Sequence, residues 1–394
     1  IIAHIDNVPE WAAEHPFGPI HRDRLDDFTQ FLTDLVNRYK QAPYNIHHWE
    51  LFNEPDRTFR PQYPDGKPCN TWPGWGCQGD EYARMLAASY QAIKAADPEA
   101  TVLMGGVAQD WFLEVGGPFH RYFPDEVIEA AGAGDSVPWD VSNVHYFPDF
   151  RREWERWDPS SEDRTLGWLP APTCGDLFDG EGTTYAAGGI DLIAKVSHFA
   201  NRLRACFGVE KPIWVTELGE HGYPYDPDNP DYPDDPYWSI KQQARYVIQG
   251  YVRGLAAGAE NIIWFVLVSP PYDYQAQGLL YQEDWSPKPA FRAYQALTSE
   301  LGGYRYTRDL DVPNVEGYVF LDAAQREKTV AWGNVHPSSS ASVPLTFAPA
   351  TRLRVADHLG AVVLVEDGGV GDADGTRNGA IQLQLTADPV FVSY

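Results

Sequence analysis

Along roughly the first 300 residues, short β-branched and aromatic runs alternate with longer stretches whose apolar positions recur every three or four residues. The short runs predict strands at 1–5 (IIAHI), 45–52 (NIHHWELF), 101–106 (TVLMGG), 140–147 (DVSNVHYF), 212–217 (PIWVTE) and 261–268 (NIIWFVLV). The longer stretches predict helices over 22–39, 81–96, 189–206, 240–257 and 289–301. In the first of these, Leu25, Phe28, Leu32, Leu35 and Val36 share one face. The strand runs are apolar on both faces, as a parallel sheet covered on both sides requires. Past about residue 302 the helical period stops. Seven short alternating runs, from GYVFL to PVFVSY, are then separated by Gly, Asp, Asn and Pro turns, which predicts an antiparallel β-sandwich of about 90 residues.

Six β/α repeats fit either an open doubly wound sheet or a barrel. The long polar and aromatic segments 55–80, 147–186, 218–238 and 269–288 decide between them. They follow the C-terminal ends of strands, where a barrel builds its active site. No glycine-rich fingerprint follows the first strand, which argues against dinucleotide binding. The expected fold is therefore a TIM-type (β/α)8 barrel over residues 1–301, followed by a β-sandwich over 302–394. Only six barrel strands are counted, and the chain opens inside IIAHI with a strand under way. Either the first two β/α units precede residue 1, or two strands escape the pattern.

Composition narrows the partners. With 30 Lys and Arg against 56 Asp and Glu, the formal net charge is −26, which repels nucleic-acid backbones and anionic lipid. No apolar run approaches the ~20 residues of a membrane span. Neither nucleic acid nor membrane is an expected partner. Aromatic residues reach 14%, many beside Pro, Gly and Asp in loop-like stretches, where flat rings can stack on sugars. Cys69, Cys77, Cys174 and Cys206 match no zinc spacing, and Cys69 with Cys77 could close a small disulfide loop.

The sharpest chemical signal is Trp49-Glu50-Leu51-Phe52-Asn53-Glu54-Pro55, an apolar strand ending in an acid at the barrel mouth. Alone, such a glutamate is better read as a loop cap. A second apolar strand, Ile213-Trp214-Val215-Thr216-Glu217, also ends in an acid three units later. Strand ends of a closed barrel converge, so Glu54 and Glu217 can face one another. Two facing carboxylates are what glycoside hydrolysis needs: one protonates the leaving oxygen, the other attacks or activates water.

These two motifs resemble those of clan A glycoside hydrolases, and the VPEWA segment with the trailing β-domain is most similar to family 39-like members. The resemblance implies a retaining enzyme, with Glu54 as acid/base and Glu217 as nucleophile. It implies Asn53 at the sugar 2-hydroxyl, His145 and Tyr146 at the sixth strand's end, and Trp264 as a sugar platform. In many clan members the tyrosine stands two residues beyond the histidine; here Tyr146 follows it directly. Trp11 is a further candidate substrate contact. Trp72, Trp75, Trp154, Trp157 and Trp168, and the proline-rich stretch 223–238, either wall the substrate or anchor their own loops.

His4, His47 and His48 read as core or neighbouring support, since no spacing makes a metal site. The stretch 372–378 reads as a hairpin turn rather than a calcium loop, and Glu220-His221 as a loop or helix start. The sequence thus predicts a secreted or periplasmic glycosidase, free of cofactor and metal, acting on neutral β-linked glycans. A transglycosidase would use the same residues. A non-catalytic glycan-binding barrel is the alternative from another class, and it would have no need of both acids.

Overall fold

The structure is a computed structural model, and it describes residues 1–13, 15–57, 74–108, 119–120, 123–147, 192–222, 239–269, 276–335 and 339–394. Trp72, Trp154, Trp157 and Trp168, Cys69 and Cys174, and the 223–238 stretch lie outside the described residues, as does the side chain of Cys77. Cys206 is half-buried. Two compact units emerge, Ile1–Glu217 with Gly258–Ile263, and Leu218–Ala257 with Trp264–Tyr394.

The first unit is an α/β layer structure. Strands β1 (Ile2–Ile5), β2 (His48–Leu51) and β3 (Thr101–Met104) pair in parallel, in chain order. Strand β4 (Ser142–Tyr146) joins β3 through the parallel bridges Leu103↔Val141 and Val107↔Val144. Strands β5 (Ile213–Leu218) and β6 (Asn261–Trp264) follow beside β4. Parallel sheets need a covering helix per crossover, and the amphipathic stretches supply them. They form α1 (Leu25–Tyr39), α2 (Gly79–Ala96), α3 (Phe123–Ala131) and α4 (Leu192–Phe207). The expected faces are the buried ones: Leu32 and Val36 in α1 are fully inaccessible, each contributing roughly 1.5–3 kcal/mol by leaving water. Helix α3 had no counterpart in the sequence reading, because its nine residues give one turn of signal from Phe123, Val127 and Ile128.

A cavity of about 620 Å3 runs along β1, lined by apolar side chains that include Phe28, Phe31, Tyr39 and Trp49. Trp75 is buried and packs edge-on to Phe52 and Tyr82, with centroids 5.2 and 5.4 Å apart, so it anchors its own loop.

The second unit carries helices α5 (Ile240–Ala256) and α6 (Pro289–Leu301) and eight antiparallel strands. Ser239 caps α5, its hydroxyl accepting from the Gln242 amide at 3.1 Å, and Pro289 opens α6 at the position where its missing N–H costs nothing. The strands are β7 (Arg305–Asp309), β8 (Val315–Leu321), β9 (Glu327–Gly333), β10 (Val343–Phe347), β11 (Arg352–Asp357), β12 (Val362–Glu366), β13 (Ile381–Leu385) and β14 (Val390–Ser393). Six form one sheet in the order β12-β11-β14-β9-β8-β7, and β10 pairs with β13. Leu345, Leu353, Ile381, Leu383 and Val392 lie between them as a common core. Strand β7 escaped the sequence reading because it is an edge strand, exposed at most positions and without apolar alternation. The stretch 372–378 is a turn but not a hairpin, because it joins β12 to β13, which lie in different sheets; the Asp372 carboxylate accepts the Gly368 and Gln382 amides.

Helix α5 was read as amphipathic, yet residues 243–254 are all buried. Its charges are met inside the unit. Arg253 makes a two-pronged pair with Glu316 at 2.7 and 2.8 Å, and Arg245 pairs with Asp388. Glu300, closing α6, accepts from Lys328 at 2.7 Å and from both Arg354 nitrogens at 2.7 and 2.9 Å. Among the described residues no helix is long and apolar enough to cross a membrane.

Glu300 and Lys328 are both buried. Glu300→Ala should therefore lower stability by about 3 kcal/mol in urea unfolding, because it leaves the Lys328 ammonium desolvated and short of its partner. The half-exposed partner should matter less, with Arg354→Met costing under about 1 kcal/mol.

Candidate active site

The first unit's parallel strands end at a cluster of polar side chains. After β2 the chain turns sharply: Phe52 and Glu54 adopt left-handed backbone angles, φ +67° and +40°, on either side of Asn53. Such angles are costly for residues with a Cβ and persist where the surroundings hold them. Here the Glu54 amide donates to the Gly106 carbonyl at 3.1 Å, and Phe52 is fully packed. The turn lifts the Glu54 carboxylate out of the sheet.

His145, at the end of β4, is buried between the two predicted acids. Its Nδ1 lies 3.4 Å from Glu54 Oε1 and 3.5 Å from Glu217 Oε2. One donor atom from each of the three side chains falls within 4.8 Å of the others. The carboxylates are partly open, with 14% of the Glu54 and 21% of the Glu217 side chain exposed, as groups that must meet a ligand should be. Arg57 Nη1 stands 4.0 Å from Glu54 Oε2.

Behind this front row lies a polar layer that the sequence reading gave no role. Glu50 Oε1 accepts from Asn143 Nδ2 at 2.7 Å, from the Thr216 hydroxyl at 3.1 Å and from the Gly106 amide at 3.2 Å. Thr216 Oγ1 lies 3.1 Å from His145 Nε2. Glu50, Asn143, His145 and Thr216 are all buried. Each interrupts an otherwise apolar strand, and Asn143 and His145 are two apart, hence on one face of β4. That interruption was the available signal.

Burial and neighbours set the charges. Burial alone would lower the His145 pKa, but the carboxylates of Glu217, Glu54 and Glu50 overcome it and push it up to about 9. Burial raises Glu217, and the Glu54 and Glu50 charges add to it against His145, leaving it at about 7. Burial would raise Glu54 too, but the hydrogen bond and charge of His145, with Arg57 and Lys195, hold it below its ordinary value. Three clustered donors could in principle face a cation. The same three side chains are all titratable, so the set can also act as an acid–base cluster.

The other predicted residues fall in different surroundings. Asn53 is half-buried between Phe52 and Glu54. Tyr146 is buried on β4, one residue out of step with Asn143 and His145; its ring lies 5.9 Å from Lys195 Nζ of α4. Strand alternation thus turns it toward the helix layer, away from the side on which His145 meets Glu217. Trp11 is 62% exposed and lines the cavity along β1, with Arg24 6.0 Å over its ring. Trp264 closes β6, and its indole N–H donates to the Gln277 carbonyl at 3.1 Å. Glu220 accepts the amide of His221 at 2.7 Å, a local turn contact.

No family model and no curated protein matches the chain. Solved structures do match in fold. A family 39 glycoside hydrolase from the gut symbiont Bacteroides cellulosilyticus WH2 superposes with a TM-score of 0.60 at 18% identity, over 96% of this chain and 63% of that one. A GH30 endoxylanase from Clostridium papyrosolvens C71 gives 0.56 at 13%, over 99% and 78%. The catalytic domain of GH30 xylanase C from Talaromyces cellulolyticus gives 0.57 at 12%, over 100% and 75%. This chain therefore spans 63% of the length of the first. At these identities the likeness establishes the fold, and it agrees with the resemblance carried by the two motifs.

Gly106 is where the layers touch: a Cβ there would stand 2.0 Å from His145 Nε2. Gly106→Ala must push the imidazole aside, and kcat should fall roughly a hundredfold, the usual effect of ångström-scale misplacement. Steady-state kinetics beside a melting curve would check this. An unchanged kcat would mean that the ring's position does not matter.

Proposed function

We propose that this chain is the catalytic part of a retaining β-glycosidase that cleaves neutral β-linked glycans by double displacement. Residues 1–301 would form the (β/α)8-type barrel domain and 302–394 the supporting sandwich. The observation that carries the reading is the convergence of the two acids on one imidazole: His145 Nδ1 lies 3.4 Å from Glu54 Oε1 and 3.5 Å from Glu217 Oε2, and one oxygen of each acid comes within 4.8 Å of the other. Retention needs carboxyl groups about 5–5.5 Å apart, whereas inversion needs roughly 6.5–9.5 Å to seat a water. The similarity in fold to family 39 and GH30 structures supports the same class. A secreted or periplasmic location suits such a substrate.

In this mechanism a Glu217 oxygen attacks the anomeric carbon while Glu54 gives its proton to the departing oxygen. The C–O bond to the leaving group breaks, and an ester to Glu217 forms. Esterification removes the Glu217 charge. Glu54, now ionised, takes a proton from water, whose oxygen displaces Glu217 and restores both groups. Asn53 stands beside Glu54 where it can meet the sugar 2-hydroxyl.

Electrostatics favour a second reading in which the roles are exchanged, since burial raises Glu217 while His145 and Arg57 depress Glu54. Both readings share one proton between the carboxyls. A substrate that places its leaving oxygen beside Glu54 would draw that proton across the short gap. The motif resemblance favours Glu54 as acid. Azide discriminates directly, because it replaces whichever carboxylate is missing. With activated aryl β-glycosides, Glu217→Ala plus azide should yield the α-glycosyl azide, and Glu54→Ala the β-glycosyl azide; the opposite pairing would assign the exchanged roles. Without azide, Glu217→Gln should lose roughly 10⁴-fold or more in kcat. Glu54→Gln should lose about 10²–10⁴-fold on substrates with poor leaving groups.

The pH dependence follows under either assignment. The carboxyl pair holds its single proton between the depressed Glu54 value and about 7. Above that window both acids are ionised and none can protonate the leaving group; below it both are protonated and none can attack. A profile of kcat/KM should therefore decline as pH rises through about 7. A plateau extending to pH 9 would contradict the assignment of the pair.

A further inference from the structure

The mechanism uses Glu54 and Glu217 but leaves Glu50 idle, although it is a carboxylate buried at 6% exposure within the same unit. A carboxylate placed there without purpose would cost several kcal/mol, so its partners are informative. They all lead to His145.

We propose that Glu50 is a positioning residue that acts through the Thr216 hydroxyl to hold His145 with its Nε2–H committed, leaving Nδ1 to pass the site's proton between Glu54 and Glu217. The inference rests on the glycosidase reading for its catalytic meaning, though not for its geometry.

Counting hydrogens fixes the direction of the chain. Asn143 has two amide protons, which go to Glu50 Oε1 and Thr216 Oγ1, both at 2.7 Å. Thr216 has one hydroxyl proton and three acceptors within reach: Glu50 Oε1 at 3.1 Å, Asn143 Oδ1 at 3.0 Å and, when it bears no proton, His145 Nε2 at 3.1 Å. Asn143 Oδ1 already receives the Thr216 amide at 3.2 Å, and a charged acceptor binds a proton more strongly than a neutral one. The hydroxyl thus points to Glu50, and its oxygen accepts from His145 Nε2 at 3.1 Å. Nε2 must then be a donor in every protonation state, and the ring's remaining proton resides at Nδ1.

Nδ1 is almost equidistant from the two acids, at 3.4 and 3.5 Å. Transfer breaks its N–H bond and forms an O–H bond on Glu54 or Glu217, the electron pair staying on Nδ1; reprotonation reverses it. The charged groups around the ring are Glu50 from β2, Glu54 after β2 with Arg57 beyond it, Glu217 from β5, and Lys195 from α4, whose ammonium donates to the His145 carbonyl at 2.6 Å. Glu50 Oε1 itself lies 4.0 Å from Nε2, too far to replace the hydroxyl. The elevation of His145 to about 9 fits a ring held protonated from both sides.

The test is the titration and tautomer of His145 by nitrogen-15 NMR of the full chain, with Glu50→Gln, Thr216→Val and Thr216→Ser compared to the unaltered protein. Expected are a fall of about one pH unit in the His145 midpoint for Glu50→Gln and for Thr216→Val, and loss of the pure Nε2–H form above the midpoint. Thr216→Ser, which keeps the hydroxyl, should restore both signatures. On an aryl β-glycoside that the enzyme turns over, the first two variants should lose about tenfold in kcat with KM unchanged. Unchanged midpoint and tautomer in both folded variants would overturn the chain of bonds. Altered NMR with unchanged kcat and pH profile would overturn its positioning role. If no glycoside is hydrolysed at all, the glycosidase reading falls alone, because the NMR readout needs no substrate.

Discussion

A carboxylate in the middle of a parallel sheet has to be given hydrogen bonds, or the sheet will not close over it. Glu50 is given three, from Asn143, Thr216 and Gly106, and these reach it from β4, from β5 and from the segment just beyond β3. The strand ends of the first unit are therefore tied together by polar contacts that tolerate little displacement. His145 is seated on this layer, and Gly106 leaves room for its ring by having no side chain. The positions of Glu54 and Glu217 follow, since both face the same imidazole nitrogen. A buried network of this sort is worth more whole than as separate pairs, and it holds a geometry that apolar packing alone would leave loose.

The electrostatic state of the site comes from the same arrangement. Three carboxylates around one imidazole are sustainable because the ring carries a proton and Lys195 and Arg57 add positive charge nearby. Burial then separates the two front acids, raising Glu217 and letting His145 depress Glu54. Unlike proton affinities in neighbouring acids are the usual condition for acid–base work at neutral pH. On the proposed reading, substrate decides which of the two holds the shared proton at the moment of bond breaking.

Much of this was legible in the sequence. The β-branched runs gave the strands because parallel strands are apolar on both faces, and two of the strand motifs ended in glutamates, Glu54 and Glu217, that meet at one imidazole. The helices with long apolar faces, such as α1 with Leu32 and Val36, were equally plain. The polar layer was harder to see: Glu50, Asn143 and Thr216 stand inside quoted strand motifs, yet a polar residue in a strand is ordinarily a solvent-facing position. Only the three-dimensional pairing shows that they face one another. Strand β7 and helix α3 were missed for want of apolar signal and of length. The motif resemblance named Tyr146 as well, which closes β4 with its ring 5.9 Å from Lys195 Nζ. The burial of α5 could not be anticipated, because the partners of Arg245 and Arg253 lie 143 and 63 residues away.

The central claim is that two acids held by one imidazole act through a covalent glycosyl-enzyme. Proton NMR of the first-formed sugar from an aryl β-glycoside tests it most directly, read before the anomers equilibrate. Retention predicts the β-anomer first, with the α-anomer rising only by mutarotation. An initial α-anomer would mean direct displacement by water, and the short Glu54–Glu217 spacing would then need another explanation.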